Sequence, residues 1–303
     1  MNKQYDLIII GAGPAGLTAA LYAKRANLDV LIIEEKTSGG KLININKIDN
    51  YPGFDSISGF ELANRMIEQL KPYNVLFKEN KVVKVKENTI FLDNKEELTS
   101  KAILVATGSN QKKLDLKRAD EYEGKGISYC ATCDGFFFKN KDVIVIGNNN
   151  QALEESLYLS NLASKITIIN DQNKLQADDY YIEKINNANN IEVINNAIAN
   201  NLVIIENKIG GIEILNSNTN KTQIVNGYGI FPYISQNPGT SFLDKQLKDN
   251  DGYVIVNENM ETKTKGIYAA GDCVKKNLRQ IVTACSDGAI AATSIIKYLK
   301  NKI

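Results

Sequence analysis

The chain opens on a short apolar run, Tyr5 to Ile10, without the polar alternation of a half-solvated strand. Such a run suits a strand covered on both faces of a sheet. Gly11-Ala-Gly-Pro-Ala-Gly16 follows, and Leu17 to Ala23, rich in good helix formers, predicts a helix. A second apolar run, Asp29 to Ile33, ends at Glu34 and completes a βαβ unit. The pattern recurs in mid-chain. Asp142 to Ile146 predicts a strand, Gly147 a turn, Ala152 to Leu162 a helix and Lys165 to Ile169 the next strand. Two such units predict an α/β fold of two doubly wound, Rossmann-like nucleotide-binding domains. Residues 180–225, loaded with Asn, Lys and Ile, read as short strands with polar turns. Gly266 to Asp272 reads as a strand running into a turn, and Ile281 to Leu299 as a closing helix.

Composition narrows the chemistry. At 303 residues the chain has room for two domains, at about 150 residues each. A hydrophobic share of 43% with 23% charged residues is globular rather than disordered. A net charge of +1 offers no surplus for nucleic acid or an anionic membrane, and neither is expected as a partner. No apolar run approaches the roughly 18 residues that span a bilayer. The first residues show no signal-peptide pattern, so a cytoplasmic location is expected. There is no histidine, which excludes every His-based acid, base, triad or metal ligand. Four cysteines are too few for a secreted disulfide scaffold of this length.

Two of those cysteines stand as Cys130-Ala-Thr-Cys133. A zinc or iron–sulfur site would need about four N or S ligands, which here means all four cysteines. A redox disulfide needs only the pair, and that reading is preferred, with no metal expected. Asp134 follows directly and could carry protons during thiol–disulfide exchange. Cys273 and Cys285 read as buried small residues. In the first glycine motif each residue has a task. Gly11 makes the tight turn, Gly13 lets backbone reach a pyrophosphate, and Gly16 lets helix and strand pack closely. Phosphate would sit on the free N–H groups of the helix. Glu34 would accept hydrogen bonds from a ribose diol and repel a 2′-phosphate, which points to FAD or NAD.

Taken together, these residues resemble the low-molecular-weight, bacterial-type thioredoxin reductases over essentially the whole chain. The carriers are Gly11 to Gly16, Gly39-Gly40-Lys41-Leu42, Asn50-Tyr-Pro-Gly-Phe54, Ala106-Thr107-Gly108, Cys130-Ala-Thr-Cys-Asp-Gly135, Gly271-Asp272 and Arg279-Gln280. The resemblance implies a discontinuous FAD domain, residues 1–112 and 243–303. A pyridine-nucleotide-type domain, residues 113–242, would be inserted in it and carry the redox pair. It also implies a homodimer acting on thioredoxin. Cys133 would face the flavin, Cys130 would attack the thioredoxin disulfide, and Asp134 would be the acid–base group. Around FAD the resemblance places Gly11, Gly13, Pro14, Ala15, Gly16, Glu34 and Glu35 from the first unit. It adds Gly40, Lys41, Leu42 and Asn50, then Ala106, Thr107 and Gly108. Gly271, Asp272, Arg279, Gln280 and Ile281 complete the set. Lys41 departs from the family, which commonly has Gln there.

The inserted domain departs further. The family carries GxGxxA and then HRRxxxR, which bind NADPH. Here the first reads Gly147-Asn-Asn-Asn-Gln-Ala152, with Asn149 in place of the glycine that must admit a pyrophosphate. In the second, Asn170 replaces the histidine, and Asp171, Gln172 and Gln176 replace the arginines. Cations that would clamp a 2′-phosphate have become two amides and an anion. Three enzymatic readings follow. One is a ferredoxin-dependent flavin thioredoxin reductase, as in a subgroup of the family that lacks both motifs; this is the expectation. The second is an NADH- or NADPH-dependent reductase, and the third an FAD-dependent dithiol oxidase. A non-catalytic flavin-binding sensor is the reading from another class. Phe136-Phe137-Phe138 beside the redox pair is expected to place at least two rings in the core. Lys275 and Lys276 read as a solvated pair.

Overall fold

The apolar run that opens the chain is covered on both faces: Leu7, Ile8 and Ile9 are fully buried. The computed structural model describes residues 4–45 and 47–301. They fall into two units, Met1–Asn110 with Asn237–Ile303, and Gln111–Gln236.

In the first unit, β1 (Gln4–Ile10) leads through α1 (Pro14–Arg25) to β2 (Val30–Glu34). The two strands pair in parallel with Leu7 opposite Val30. After α2 (Gly59–Glu68) come β3 (Leu76–Glu79), β4 (Val82–Lys86), β5 (Thr89–Leu92) and β6 (Glu97–Val105). The sheet order is β3-β2-β1-β6-β5-β4. It is parallel at its centre, where β1 pairs β6, and antiparallel over β4, β5 and β6. Crossing to the second unit uses β7 (Ser109–Gln111).

The first α-helix of the second unit is the short α3 (Ala131–Asp134). Then β8 (Asp142–Ile146), α4 (Asn150–Ser160) and β9 (Lys165–Ile169) form the second βαβ unit. α5 (Asp179–Asn186) leads to β10 (Ile191–Ile194), and β11 (Ala197–Ile205), β12 (Lys208–Asn216) and β13 (Thr222–Asn226) form an antiparallel meander. β14 (Gly229–Pro232) returns to the parallel sheet, whose order is β10-β9-β8-β14. Side chains of β8 and β9 alternate between two cores. Val143, Val145, Ile166 and Ile168 pack with Leu153 and Leu159 of α4. Ile144, Ile146 and Ile169 pack with Ile209, Ile212 and Ile214 of the meander.

The return strand is β15 (Gln236–Pro238), which pairs β7. β16 (Ile267–Ala269) then joins β6, and α6 (Ile281–Lys300) packs on α1. The return falls at Gln236–Asn237 rather than at the expected residue 243. The Gly239 N–H donates to Gly108 O, and Thr240 Oγ1 donates to Gly252 O, so these residues belong to the first unit. Residues 180–186, expected among short strands and polar turns, are helical in α5. Among the described residues no helix is long and apolar enough to cross a membrane.

Candidate active site

Cys130 and Cys133 form a disulfide across the first turn of α3. Cys130 Sγ accepts the Cys133 N–H at 3.2 Å and lies 3.3 Å from Thr132 Oγ1. Cys133 is the more exposed of the two. One buried serine organises this turn. Ser128 Oγ donates to Asp134 Oδ2 at 2.6 Å and accepts the Cys130 N–H at 3.1 Å. Ser128 is itself anchored, its N–H donating to Ile230 O on β14. The chain beyond β14 supplies a second brace: Tyr233 Oη accepts the Ala131 N–H at 3.1 Å. Asp134 is thereby clamped to the residues that carry the sulfurs, in a chain with no histidine to share proton transfer. The aromatic run corrects its expectation. Phe138 is buried edge-on to Phe231, but Phe136 and Phe137 are exposed, at 69% and 70%.

In the first unit the glycine loop assembles as its spacing predicts. A Cβ on Gly11 would lie 2.4 Å from Ala106 O, and one on Gly16 would lie 2.0 Å from Gly11 O. Both glycines are therefore required by packing. Gly13 is not. It caps α1 in extended backbone (φ −82°), no side chain caps that helix, and a Cβ there would meet nothing within 4 Å. Glu34 at the end of β2 braces the loop: Oε2 accepts the Ala12 N–H at 2.7 Å and Oε1 the Lys36 N–H at 3.1 Å. Exposed Glu35 instead pairs with Lys81. Gly40 abuts the loop, where a Cβ would lie 3.2 Å from Gly13 Cα, and Leu42 is buried. Lys41 is exposed as a residue, but its amine donates to Ser109 Oγ at 2.9 Å. Poor solvation there draws its pKa down, with nearby Arg279 adding and Asp272 opposing. Arg279 donates to Asp272 O and Val274 O and stacks on Tyr253 at 4.1 Å. Asn50 donates to Gln280 Oε1, and Gln280 caps α6, whose first residue is Ile281. Pro14 and Ala15 begin α1, and a Cβ on Gly271 would lie 3.0 Å from that of Ala15.

The second glycine loop is closed by its own side chains. Asn149 caps α4: its Oδ1 accepts the Ala152 N–H at 3.0 Å and its Nδ2 donates to Tyr233 O at 3.2 Å. The helix end left open at Gly13 is filled here. Asn148 Nδ2 donates to Asn170 Oδ1 and Asp171 Oδ1, at 3.1 and 2.9 Å. Asn170 is fully buried, donates to Asn195 and accepts the Gln172 N–H. Asn150 and Asp178 exchange two further bonds. The residues that replace the family's phosphate clamp thus satisfy one another. None of the residues aligned with the family's clamp, Asn170, Asp171, Gln172 and Gln176, supplies a guanidinium for a 2′-phosphate.

A model described as pyridine nucleotide-disulphide oxidoreductase matches residues 5–288. Thioredoxin reductase of Bacillus subtilis (strain 168) is 38% identical over 303 residues, 99% of this chain and 96% of that one. The chain belongs to the low-molecular-weight thioredoxin reductase family. Two solved structures agree. Thioredoxin reductase of Lactococcus lactis superposes with a TM-score of 0.95 at 35% identity, covering 98% of this chain and all of that one. That of T. acidophilum gives 0.92 at 33%, covering both chains completely. The enzyme is an FAD-dependent disulfide oxidoreductase.

The first unit fits the flavin dinucleotide. Gly13 needs no glycine for its own packing or backbone, and the uncapped helix end beside it leaves N–H groups for a pyrophosphate. Gly13→Ala is expected to change the stability of the flavin-free enzyme by less than about 1 kcal/mol. It should weaken FAD binding by at least about tenfold, measured by flavin fluorescence. Gly16→Ala, by contrast, should cost about 3 kcal/mol of stability in urea, because its Cβ collides with fixed backbone.

Two residues here carry no sequence motif. Asp287 on α6 is buried, accepts the Gly271 N–H at 3.0 Å and pairs with Lys276 at 2.6 Å. Lys276 is therefore not a solvated lysine; it holds the carboxylate that holds the Gly271 turn. Cys273 is fully buried, its thiol pushed up to about 11 by that burial, and Cys285 is half-buried. Among the described residues no group of three His, Cys, Asp or Glu is placed to hold a metal ion.

Proposed function

We propose that the enzyme reduces the disulfide of thioredoxin with electrons taken from reduced ferredoxin, or a similar one-electron carrier, rather than from NADPH. The observation that carries the donor is the Asn149 side chain on the Ala152 N–H, backed by the amide network from Asn148 to Asp178. The thioredoxin reductases named above are called so without mention of a donor. The substrate rests on their names and on the CATCDG sequence, residues 130–135. The resemblance further implies a homodimer.

When bound, FAD would supply the electron pair for the Cys130–Cys133 disulfide and the capacity to take electrons one at a time. The glycine loop, Glu34, Lys41, Asn50, Thr107, Gly108, Asp272 and Arg279 would hold it. The rest belongs to the chain. Cys130 thiolate attacks one sulfur of the thioredoxin disulfide, forming a mixed disulfide and releasing the other thioredoxin sulfur as thiolate. Asp134, held by Ser128, delivers a proton to it. Cys133 thiolate then attacks Cys130 Sγ, which restores the Cys130–Cys133 bond and frees the second thioredoxin thiol.

The test is an anaerobic titration of the yellow holoenzyme, following oxidised-flavin absorbance. Neither NADPH nor NADH at stoichiometric amounts should bleach it, whereas photoreduced ferredoxin should bleach it and support thioredoxin reduction. Bleaching by NADPH or NADH would return the enzyme to the ordinary reductases. Bleaching only by a dithiol, reversed by oxygen, would make it an oxidase. Bound FAD with no turnover from any donor would make it a sensor.

A further inference from the structure

The second unit contains a buried carboxyl oxygen that the exchange above does not use. Glu155 lies on α4, and its Oε2 is buried without a hydrogen-bond partner. Its neighbour Ser156 meets its own need by donating to Ala152 O. An unpaired buried carboxylate oxygen is costly, and a surface position one residue away would avoid the cost. Glu155 shares a helix stripe with Tyr158 and Leu159, and Leu162 follows just past the helix end. That stripe meets the redox segment. A Cβ on Gly135 would lie 3.0 Å from Leu159 Cδ2 and 3.3 Å from both Tyr158 Cε1 and Leu162 Cδ1.

Tyr233 links this stripe to the sulfurs. Its ring is buried, and its oxygen accepts the Ala131 N–H between the two cysteines. That leaves the hydroxyl proton to point elsewhere. Burial keeps the phenol protonated, and the charges of Glu155 and then Asp134 add to that effect. The hydroxyl is thus under the field of two carboxyl groups, one on α4 and one on the redox turn. We propose that Glu155 is a positioning residue of the redox centre, acting through Tyr233 on the segment that holds Cys130 and Cys133.

The proposal rests on the reading of Cys130–Cys133 as the redox pair. Burial raises the Glu155 pKa to about 7, with Glu154 adding. The side chain therefore exchanges its proton around neutrality. Other ionisable groups come from each element packed on α4. On α5, Lys184 bonds Tyr180, with Asp179, Tyr181 and Glu183 alongside. Lys165 of β9 pairs with Glu192, Asp142 begins β8, and Asp178 is tied to Asn150. None of these is a cause of the Glu155 shift. Below neutrality Glu155 is uncharged. Above it, the carboxylate disfavours a thiolate nearby and slows thiolate formation.

The experiment reduces the holoenzyme anaerobically with dithiothreitol, removes the reductant, and follows iodoacetamide labelling of Cys130 and Cys133 across neutral pH by mass spectrometry. The wild type should show a break in the labelling profile near pH 7. Glu155→Gln should remove the break and raise labelling on the alkaline side roughly threefold, half a pKa unit. Glu155→Asp should keep the break. In a Tyr233→Phe background the Glu155→Gln effect should fall below half. A Glu155→Gln profile superimposable on the wild type, or shifted uniformly with the break retained, would overturn the positioning role. If dithiothreitol left neither cysteine open to label in the wild type, the redox-pair reading would fail, and the proposal with it.

Discussion

Exchanging Cys130 for serine stops thioredoxin reduction while the protein stays yellow. Removing a reacting nucleophile costs roughly 10⁴-fold or more in turnover, because a lone Cys133 could form a mixed disulfide but has no second thiol to resolve it. Of the three cysteines that remain, Cys133 has lost the partner thiol that would resolve a mixed disulfide, Cys273 is fully buried with a raised thiol pKa, and Cys285 belongs to the other unit. The Cys130 side chain also accepts the Cys133 N–H, a task that a serine oxygen can take over. The variant should therefore fold and retain FAD. Measured with ferredoxin as donor and thioredoxin as acceptor, residual turnover above about 1% would show that Cys130 is not the interchange thiol.

Restoring the family's phosphate clamp should make the enzyme bind NADPH. Asn149→Gly frees the Ala152 N–H and opens the loop, at a cost to α4 of a few tenths of a kcal/mol, about what Gly costs as a cap. Asp171→Arg and Gln176→Arg add two guanidinium groups, each worth about 1.5–3 kcal/mol to a bound phosphate. Together they should tighten binding of 2′,5′-ADP by about 10² to 10⁴, measured by calorimetry. Asn149→Gly alone should give little, because Asp171 would still repel the phosphate. No gain in the triple variant would mean that the loop backbone, not these side chains, excludes the nucleotide.

Much of the fold was legible. Runs such as Leu7-Ile-Ile-Ile10 and Val143-Ile-Val-Ile146 mark strands buried on both faces, and the glycines after them mark the turns. α5 was not legible. Tyr180, Tyr181 and Ile182 favour strands locally, and the helix is set by Tyr181, Ile182 and Ile185 packing in the core shared with α4. Within the site, Asn149 announced its effect because a side chain stands where a bare backbone is needed. Ser128 and Asp287 announced nothing. Their partners, Asp134 and Lys276, lie six and eleven residues away, and only the folded chain brings them together. Phe136 and Phe137 misled because a single tight turn, residues 135–138, points successive rings in different directions and only Phe138 meets the core.

A domain that binds a nucleotide is steadier when its ligand is abundant and looser when it is scarce, since occupancy adds RT ln(1 + [L]/Kd) to its stability. The second unit has replaced that visitor with Asn148, Asn149, Asn150 and Asn170, which are present at every moment. On the donor proposed above, its stability is uncoupled from the supply of reduced nicotinamide in the cell. The platform that holds the redox sulfurs would then stay equally firm in a starved cell and a well-fed one.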